Sequence, residues 1–241
     1  MAPIDTSIKR IENQLLARLP ATDLRRLRPM LTTVSLHPKQ VLHKQGERIQ
    51  HVYFPNSGLV SLTTALADGS LVEAATIGDN GIVGAEAFLE GDLVSPCEAI
   101  VQVPVAGLTA EMMKVTDFRR EIDLGGPLHD ASARYLHVLY AQMARLTACN
   151  ARHSVNERCA RWLLTAQDQL HGPKFHLSQE FLGVMLGVRR QAVSEVATSF
   201  RAAGLIGYQH GTVTVLDRRQ LERTACECYA ALADLRKSLA T

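Results

Sequence analysis

Two short amphipathic segments around a glycine, between Ser178 and Gly204, constrain the fold of this 241-residue chain more than any other feature. Ser178 precedes the first segment and can cap a helix through its hydroxyl group. Gly187 follows that segment and can adopt the positive φ that ends a helix. The second segment starts after Val188 and carries apolar residues at helical spacing. Two short helices joined by a turn of three or four residues are predicted to form a helix-turn-helix.

The second predicted helix begins with polar side chains, Arg189-Arg190-Gln191, and Glu195 follows one turn later. In a helix-turn-helix, the first residues of the second helix face base edges in the major groove of DNA. Arginine pairs with guanine, glutamine with adenine, and a carboxylate accepts from the amino group of cytosine. We therefore predict that Arg190, Gln191 and Glu195 read bases.

A hairpin is predicted directly after this helix, with strands at Leu205–Tyr208 and Thr212–Leu216 around the turn His210-Gly211. Such a wing can lie on the phosphate backbone. Residues 150–241 hold 12 Lys and Arg against 8 Asp and Glu, whereas residues 1–149 hold 14 against 16. The C-terminal part is therefore the basic one, as phosphate binding requires. Contacts with phosphates position a protein on DNA without specifying a base sequence. The polar side chains predicted to make such contacts are Ser178, Gln179, Arg189, Ser194, Thr198, Arg201 and His210.

The N-terminal half has a different periodicity. Ile8, Ile11, Leu15 and Leu19 share a helical face, but from Val34 to Leu108 short β-branched runs alternate with turn signals such as Asp68-Gly69. Short strands without long helices between them are typical of an antiparallel β-roll or jelly-roll. Helix is expected to resume over Leu108–Phe118.

A long helix is predicted from about Pro127 to His153. Six side chains on it are spaced 7, 4, 3, 4 and 3 residues apart, close to a heptad repeat, namely Leu128, Tyr135, Leu139, Gln142, Leu146 and Cys149. This stripe could pack on the helix's own domain or on a second copy of the helix. We favour a seam between two subunits, because the helix is long and apolar on more than one face.

The order of these parts resembles the cyclic-AMP receptor protein/fumarate-nitrate regulator (Crp/Fnr) family. The resemblance is carried by Ala141-Gln142-Met143-Ala144-Arg145 in the long helix and by Gly187-Val188-Arg189-Arg190-Gln191-Ala192-Val193-Ser194. It implies an α+β protein with a sensor β-roll at 1–125, a dimerisation helix at 126–153 and a winged helix-turn-helix at 154–241. The resemblance also implies that the protein binds near-palindromic double-stranded DNA as a homodimer and that RNA polymerase is its partner. It implies that Arg190, Gln191 and Glu195 read bases.

The roll departs from the members of that family that bind cyclic nucleotides. Their phosphate-binding cassette has a Gly-Glu pair and an Arg-Ser or Arg-Thr pair, where this chain has Ile82 for the glutamate and Ser95-Pro96 in place of the arginine. Residues 49–113 contain no Lys or Arg, while they contain eight acids. Cyclic AMP binding is therefore not expected. If the roll binds another small-molecule effector, its pocket is expected around Gly81, Gly84, Ser95 and Cys97.

Cysteine and histidine patterns predict no cofactor and no metal. The five cysteines are scattered, and none precedes Cys97, unlike the N-terminal cluster of the family's iron–sulfur members. Cys226-Glu227-Cys228 could be half of a metal site, but no further Cys or His follows nearby at ligand spacing. Lone histidines such as His37, His43 and His51 do not by themselves indicate haem. We expect free thiols in a reducing compartment.

Two other classes of function can be weighed. A metal-dependent cupin-like enzyme would need closely spaced histidines, but His43 and His51 are eight residues apart. The sequence has no nucleophile elbow and no phosphate loop. A ligand-sensing module without DNA binding is disfavoured by Arg190 and Gln191. No apolar run approaches the ~20 residues of a membrane span, and no signal peptide is recognised, so a cytoplasmic protein is expected.

Overall fold

The structure is a computed structural model that describes residues 11–89, 94–102 and 108–239. Ile8 of the predicted first helix, and the parts of the predicted roll at 90–93 and 103–107, lie outside the described residues. Helices of the described part are α1 Gln14–Ala17, α2 Ala21–Leu27, α3 Val115–Asp123, α4 Pro127–Arg152, α5 Val155–Leu170, α6 Gln179–Leu186, α7 Arg190–Ala202, α8 Arg218–Thr224 and α9 Cys228–Ser238.

The strands form two antiparallel sheets in the N-terminal half and one in the C-terminal half. In chain order they are β1 Thr32–Ser35, β2 Val41–His43, β3 His51–Pro55, β4 Val60–Ala65, β5 Leu71–Ile77, β6 Glu98–Val101, β7 Thr109–Lys114, β8 Lys174–His176, β9 Ile206–Gln209 and β10 Thr212–Val215. Their order is β1-β7-β3 and β2-β6-β4-β5 in the first two sheets, and β8-β10-β9 in the third. The predicted α+β architecture of roll, long helix and winged helix-turn-helix is confirmed.

The β4–β5 hairpin turns where the sequence predicts it. Gly69 has φ +80°, and the Asp68 carboxylate accepts a hydrogen bond from the Ser70 amide at 2.9 Å. This turn fixes the register that pairs Val60 with Ile77 and Ala65 with Leu71. The hairpin extends from the roll toward the C-terminal helices and brings β5 against α6.

The prediction of a helix over Leu108–Phe118 is wrong in its first half. Thr109–Lys114 is strand β7, which pairs with β1 on one side and with β3 on the other. Ala110 and Met113 are fully buried there. Helix propensity is overridden because a central strand satisfies its backbone groups on both sides and buries these side chains. Helix α3 begins only at Val115.

The apolar stripe of helix α4 faces the inside of the chain. Leu128, Tyr135 and Leu139 belong to the core of the roll itself. Gln142 donates to the Thr76 carbonyl oxygen at 3.2 Å, and Leu146 and Cys149 are also buried within the chain. For five of the six residues the predicted subunit seam is therefore replaced by packing within the chain, and Gln142 is half-buried. A heptad spacing shows that one face is covered, and here the roll covers Leu128, Tyr135 and Leu139 while the start of α9 covers Cys149.

The other face of α4 is exposed along most of its length. Tyr140 is 74% exposed, the largest such fraction among the exposed large apolar side chains of the described residues. Side chains at heptad spacing around it are exposed or half-buried, and they are Ala133, Leu136, His137, Ala144 and Thr147. We call this set, with Tyr140, the outer stripe of α4.

A buried carboxylate joins the roll to the C-terminal domain. Glu73 on β5 is 4% exposed and accepts hydrogen bonds from Trp162 Nε1 on α5 at 2.9 Å and from the Ser61 hydroxyl at 2.5 Å. Burial raises the pKa of Glu73 to about 7, although these bonds and the nearby Arg161 act in the opposite direction. The contact between the two domains therefore contains a group that titrates near neutral pH.

Glu73 should give the protein a measurable pH dependence of stability. Its pKa in the folded chain lies above the 4.5 of a free carboxyl group, so the folded state binds the additional proton. The extra proton contributes fully to the free energy of unfolding below pH 4.5. This contribution is lost as the pH rises through 7, by up to about 1.4 kcal/mol per pH unit. Glu73→Gln cannot ionise, and we expect its stability relative to the wild type to increase between pH 5 and 8 in urea unfolding. Parallel curves for the two proteins would contradict this. Glu47→Gln, at an exposed carboxylate, is the control.

Within the residues that the structure describes, no helix is both long and apolar enough to cross a membrane.

Candidate nucleic-acid interface

Three small residues determine where helix α6 begins and ends and how closely the following turn approaches it. The Ser178 hydroxyl accepts a hydrogen bond from the Phe181 amide at 3.1 Å and caps α6. Gly187 ends α6 in the left-handed region with φ +61°. Gly183 faces the turn so closely that a Cβ would lie 2.9 Å from the Val188 carbonyl oxygen. Because nothing larger fits there, the start of α7 can approach α6 and form the predicted helix-turn-helix.

Helix α7 buries one face and presents the other to solvent. Val193, Val196 and Phe200 pack into the core of the C-terminal domain. Arg190, Gln191 and Glu195, the predicted base-reading residues, are all exposed on the first turns. Gln191 Nε2 donates to Glu195 Oε1 at 3.2 Å, so these two side chains already share one orientation. The structure thus brings the three residues together on one accessible surface.

The predicted phosphate-contacting residues surround this surface on three elements. Arg189 is the residue before α7, and Ser194, Thr198 and Arg201 lie along it, with Ser194 half-buried. Thr198 donates its hydroxyl hydrogen to the Ser194 carbonyl at 2.8 Å. Ser178 and Gln179 occupy the start of α6, where the helix dipole favours an anion. The contact of these residues with phosphates stays a prediction.

The wing contains one strand more than the sequence predicted. Strands β9 and β10 are joined by His210 and Gly211, both with positive φ, and His210 is exposed at the tip. Strand β8 pairs with β10 on its other side. Its signal in the sequence is weak, because only Phe175 is buried among three residues. The third strand extends the sheet of the wing on the side of β10.

The four residues proposed for an effector pocket are buried. Neighbouring side chains fill most of the space around them. The Ser95 hydroxyl hydrogen-bonds with Glu86 Oε1 at 3.0 Å and with the Cys97 carbonyl at 2.8 Å. A Cβ on Gly81 would lie 2.7 Å from the Tyr135 hydroxyl, and one on Gly84 would lie 2.7 Å from the His43 ring. A small cavity of ≈ 170 Å³ lies beside them on β2 and β3, lined in part by His43 and His51.

A second group of functional side chains was missed by the sequence analysis. Cys149 and His153 at the end of α4 meet Cys226 and Cys228 at the start of α9. Their possible ligand atoms all lie within 4.8 Å of one another. Sequence spacing could not reveal this group, because 77 residues separate Cys149 from Cys226.

Two family models match the chain. The model described as a cyclic nucleotide-binding domain matches residues 33–119, and the one described as a Crp-like helix-turn-helix domain matches residues 157–224. The first covers the roll and the second covers α5 to α8. Together they give the same order of domains as the structure.

Relatives and solved structures agree with these models. Transcriptional regulator LdrP of Thermus thermophilus is 29% identical over 198 residues, which are 78% of this chain and 93% of LdrP. The structure of FixK2 from Bradyrhizobium japonicum matches with a TM-score of 0.69 at 17% identity, over 81% of this chain and 98% of that one. TTHB099, a CRP-family transcriptional regulator from Thermus thermophilus, matches with a TM-score of 0.65 at 24% identity, over 80% and 96% of the two chains. These solved structures share the fold described above.

Proposed function

The chain belongs to the Crp/Fnr family of transcription regulators, and on this basis we propose that it binds a near-palindromic DNA operator as a homodimer. The observation that carries the proposal is the exposed surface at the start of α7. Arg190, Gln191 and Glu195 project from it together, beside the wing. A helix N-terminus with this composition suits the major groove, where each of the three side chains has a matching base.

Charge supports the same surface. Residues 150–241 carry an excess of four positive charges, with 12 Lys and Arg against 8 Asp and Glu. Arg189 and Arg201, at opposite ends of α7, are both exposed. We assign to them, and to Ser178, Gln179, Ser194, Thr198 and His210, contacts with phosphates on either side of the groove. Such contacts fix the position of the helix and make binding steeply dependent on salt.

The subunit contact is assigned to the outer stripe of α4. Its centre, Tyr140, is an aromatic side chain that the described part of the chain leaves exposed. Two copies of α4 related by a twofold axis would bury this stripe against itself, as isologous dimers do. A homodimer would present two copies of α7, each to one half of a palindromic operator.

We infer that the roll does not bind cyclic AMP. Residues 49–113 offer no Lys or Arg to a cyclic phosphate. Ser95, which stands in the region of the cassette, hydrogen-bonds with the Glu86 carboxylate, and this negative charge would repel an anion. Any effector would therefore differ in chemistry from a cyclic nucleotide. We expect RNA polymerase to be the protein partner of the DNA-bound dimer.

The test of base reading is Arg190→Ala. The operator is first obtained by genome-wide occupancy mapping, and binding is then measured by gel shift across a salt series. We expect the variant to lose about 1–3 kcal/mol of specific binding and to lose its preference at one base pair in each half-site. Binding to unrelated DNA should change much less.

Arg120→Ala is the matched control, because it removes another exposed arginine, from α3 in the roll. It should leave specific and non-specific binding unchanged. If Arg190→Ala weakened binding to all sequences equally, Arg190 would be a phosphate contact instead. If the wild-type protein bound no DNA sequence in preference to others, the proposed function itself would be wrong.

A further inference from the structure

Four side chains with metal-binding atoms converge where α4 ends and α9 begins. Cys149 lies on the last turn of α4, and His153 is the residue that follows the helix four positions later. Cys226 precedes α9, and Cys228 is the first residue of α9. The three cysteines are buried and form a small cluster of their own. Helices α4 and α9 pack against each other and hold the cluster in place.

The distances within the cluster are those of a single tetrahedral ion. Cys149 Sγ lies 3.5 Å from Cys226 Sγ, and Cys228 Sγ lies 3.8 Å from His153 Nδ1. Zinc–thiolate bonds of about 2.3 Å at tetrahedral angles place neighbouring sulfurs about 3.8 Å apart. An iron–sulfur cluster needs wider separations between some of its ligands, because these are bound to different iron atoms. With all four atoms within 4.8 Å of one another, the site fits one ion.

The orientation of His153 also suits a metal ligand. Its Nε2 lies 3.1 Å from Glu227 Oε2, so the carboxylate can accept the proton on Nε2. That hydrogen bond selects the tautomer with a lone pair on Nδ1, the nitrogen that faces Cys228. Histidines that bind zinc are commonly held in this way by a carboxylate on the other ring nitrogen.

Two buried arginines of α5, Arg158 and Arg161, lie near the cluster. Arg158 is buried beside the cluster and donates to the Leu186 carbonyl. One zinc ion with three thiolates and a neutral imidazole has a net charge of −1. The buried guanidinium groups of Arg158 and Arg161 can compensate this charge.

We propose that Cys149, His153, Cys226 and Cys228 form a tetrahedral zinc site that fixes α9 to the end of α4. Cys₃His is one of the ligand sets of structural zinc sites, in which all four positions are occupied by the protein. The ion would close a loop that contains α5 to α8, with the helix-turn-helix and the wing, since Cys149 and His153 precede α5 and Cys226 and Cys228 follow α8. The site would therefore be structural and would take no part in base reading.

The test is the metal content of the full-length protein, purified under reducing conditions without chelator and measured by elemental mass spectrometry. We expect about one zinc per chain in the wild type. Cys228→Ser and His153→Ala should each lower zinc at least tenfold. Cys97→Ala is the matched control, because it removes a buried thiol of the roll, remote from the cluster, and it should retain full zinc.

Cobalt provides a readout that does not depend on how the variants fold. Wild-type protein reconstituted with Co²⁺ alone should show thiolate-to-cobalt charge transfer and the intense visible bands of a tetrahedral site. Several outcomes would overturn the proposal: wild-type protein without zinc, zinc unchanged in Cys228→Ser and His153→Ala, stoichiometric iron with sulfide, or a Cys149–Cys226 disulfide found by mass spectrometry. None of these measurements depends on DNA binding, so they test the metal site separately from the proposed function.

Discussion

Trp162→Ala is expected to lower the free energy of unfolding by about 3–5 kcal/mol, the usual cost of removing a large buried aromatic side chain. Trp162 is the chain's single tryptophan and is 1% exposed. It belongs to the hydrophobic core that α5 shares with the helix-turn-helix. Truncation leaves a cavity there, and it also removes the hydrogen bond from Nε1 to Glu73. Glu73 Oε1 is then left without its donor, although Ser61 still donates to Oε2, and this adds to the loss.

Urea unfolding followed by circular dichroism at pH 7 gives this value. Trp162→Phe is the matched variant, because it keeps an aromatic ring and removes only the hydrogen-bond donor. It should cost about 1–3 kcal/mol, the penalty of one unsatisfied buried group. Equal losses in the two variants would show that the hydrogen bond dominates and that packing contributes little. A loss below about 1 kcal/mol in Trp162→Ala would contradict the packing described here.

Tyr140→Glu is expected to dissociate the dimer and to weaken operator binding by about 10²–10⁴-fold, because the two half-sites would no longer be bound by one linked molecule. The substitution would place two like charges against each other across a twofold axis. Since Tyr140 is exposed within the chain, the monomer should stay folded. Sedimentation velocity gives the oligomeric state, and gel shift gives the affinity.

Two variants separate this contact from other effects. Leu124→Glu makes the same apolar-to-acidic change at another exposed side chain, 67% exposed at the end of α3, and should leave the dimer intact. Leu139→Glu lies on the buried face of α4 and should lower the melting temperature of the roll. A Tyr140→Glu protein that still sediments as a dimer would disprove the outer stripe as the interface.

Local signals made the helix-turn-helix predictable. Ser178, Gly187 and the apolar spacing of α7 act within a few residues of one another, so the sequence contains all the information that they need. The wing was predictable for the same reason, because His210-Gly211 separates two short β-branched runs. The surface of Arg190, Gln191 and Glu195 followed directly from their positions at the start of α7.

Features that depend on distant parts of the chain were not predictable. The heptad stripe of α4 shows that one face is covered, but only the folded roll shows that Tyr135 and Leu139 belong to its core. Strand β7 contains helix-forming residues, and its conformation is imposed by β1 and β3. Cys149 and Cys226 carry no mutual signal in the sequence, because the intervening domain must fold before they meet.

That meeting point has a mechanical consequence. The segment from α5 to α8 begins after Cys149 and ends before Cys226, and the two sulfur atoms are 3.5 Å apart. Both ends of this segment are therefore held at one place on α4, in addition to the contacts that β5 makes with α6 and that Glu73 makes with Trp162. In the proposed dimer, a twist of α4 would be transmitted to the positions of the two α7 helices. The spacing of the bases that they read would then depend on the end of α4.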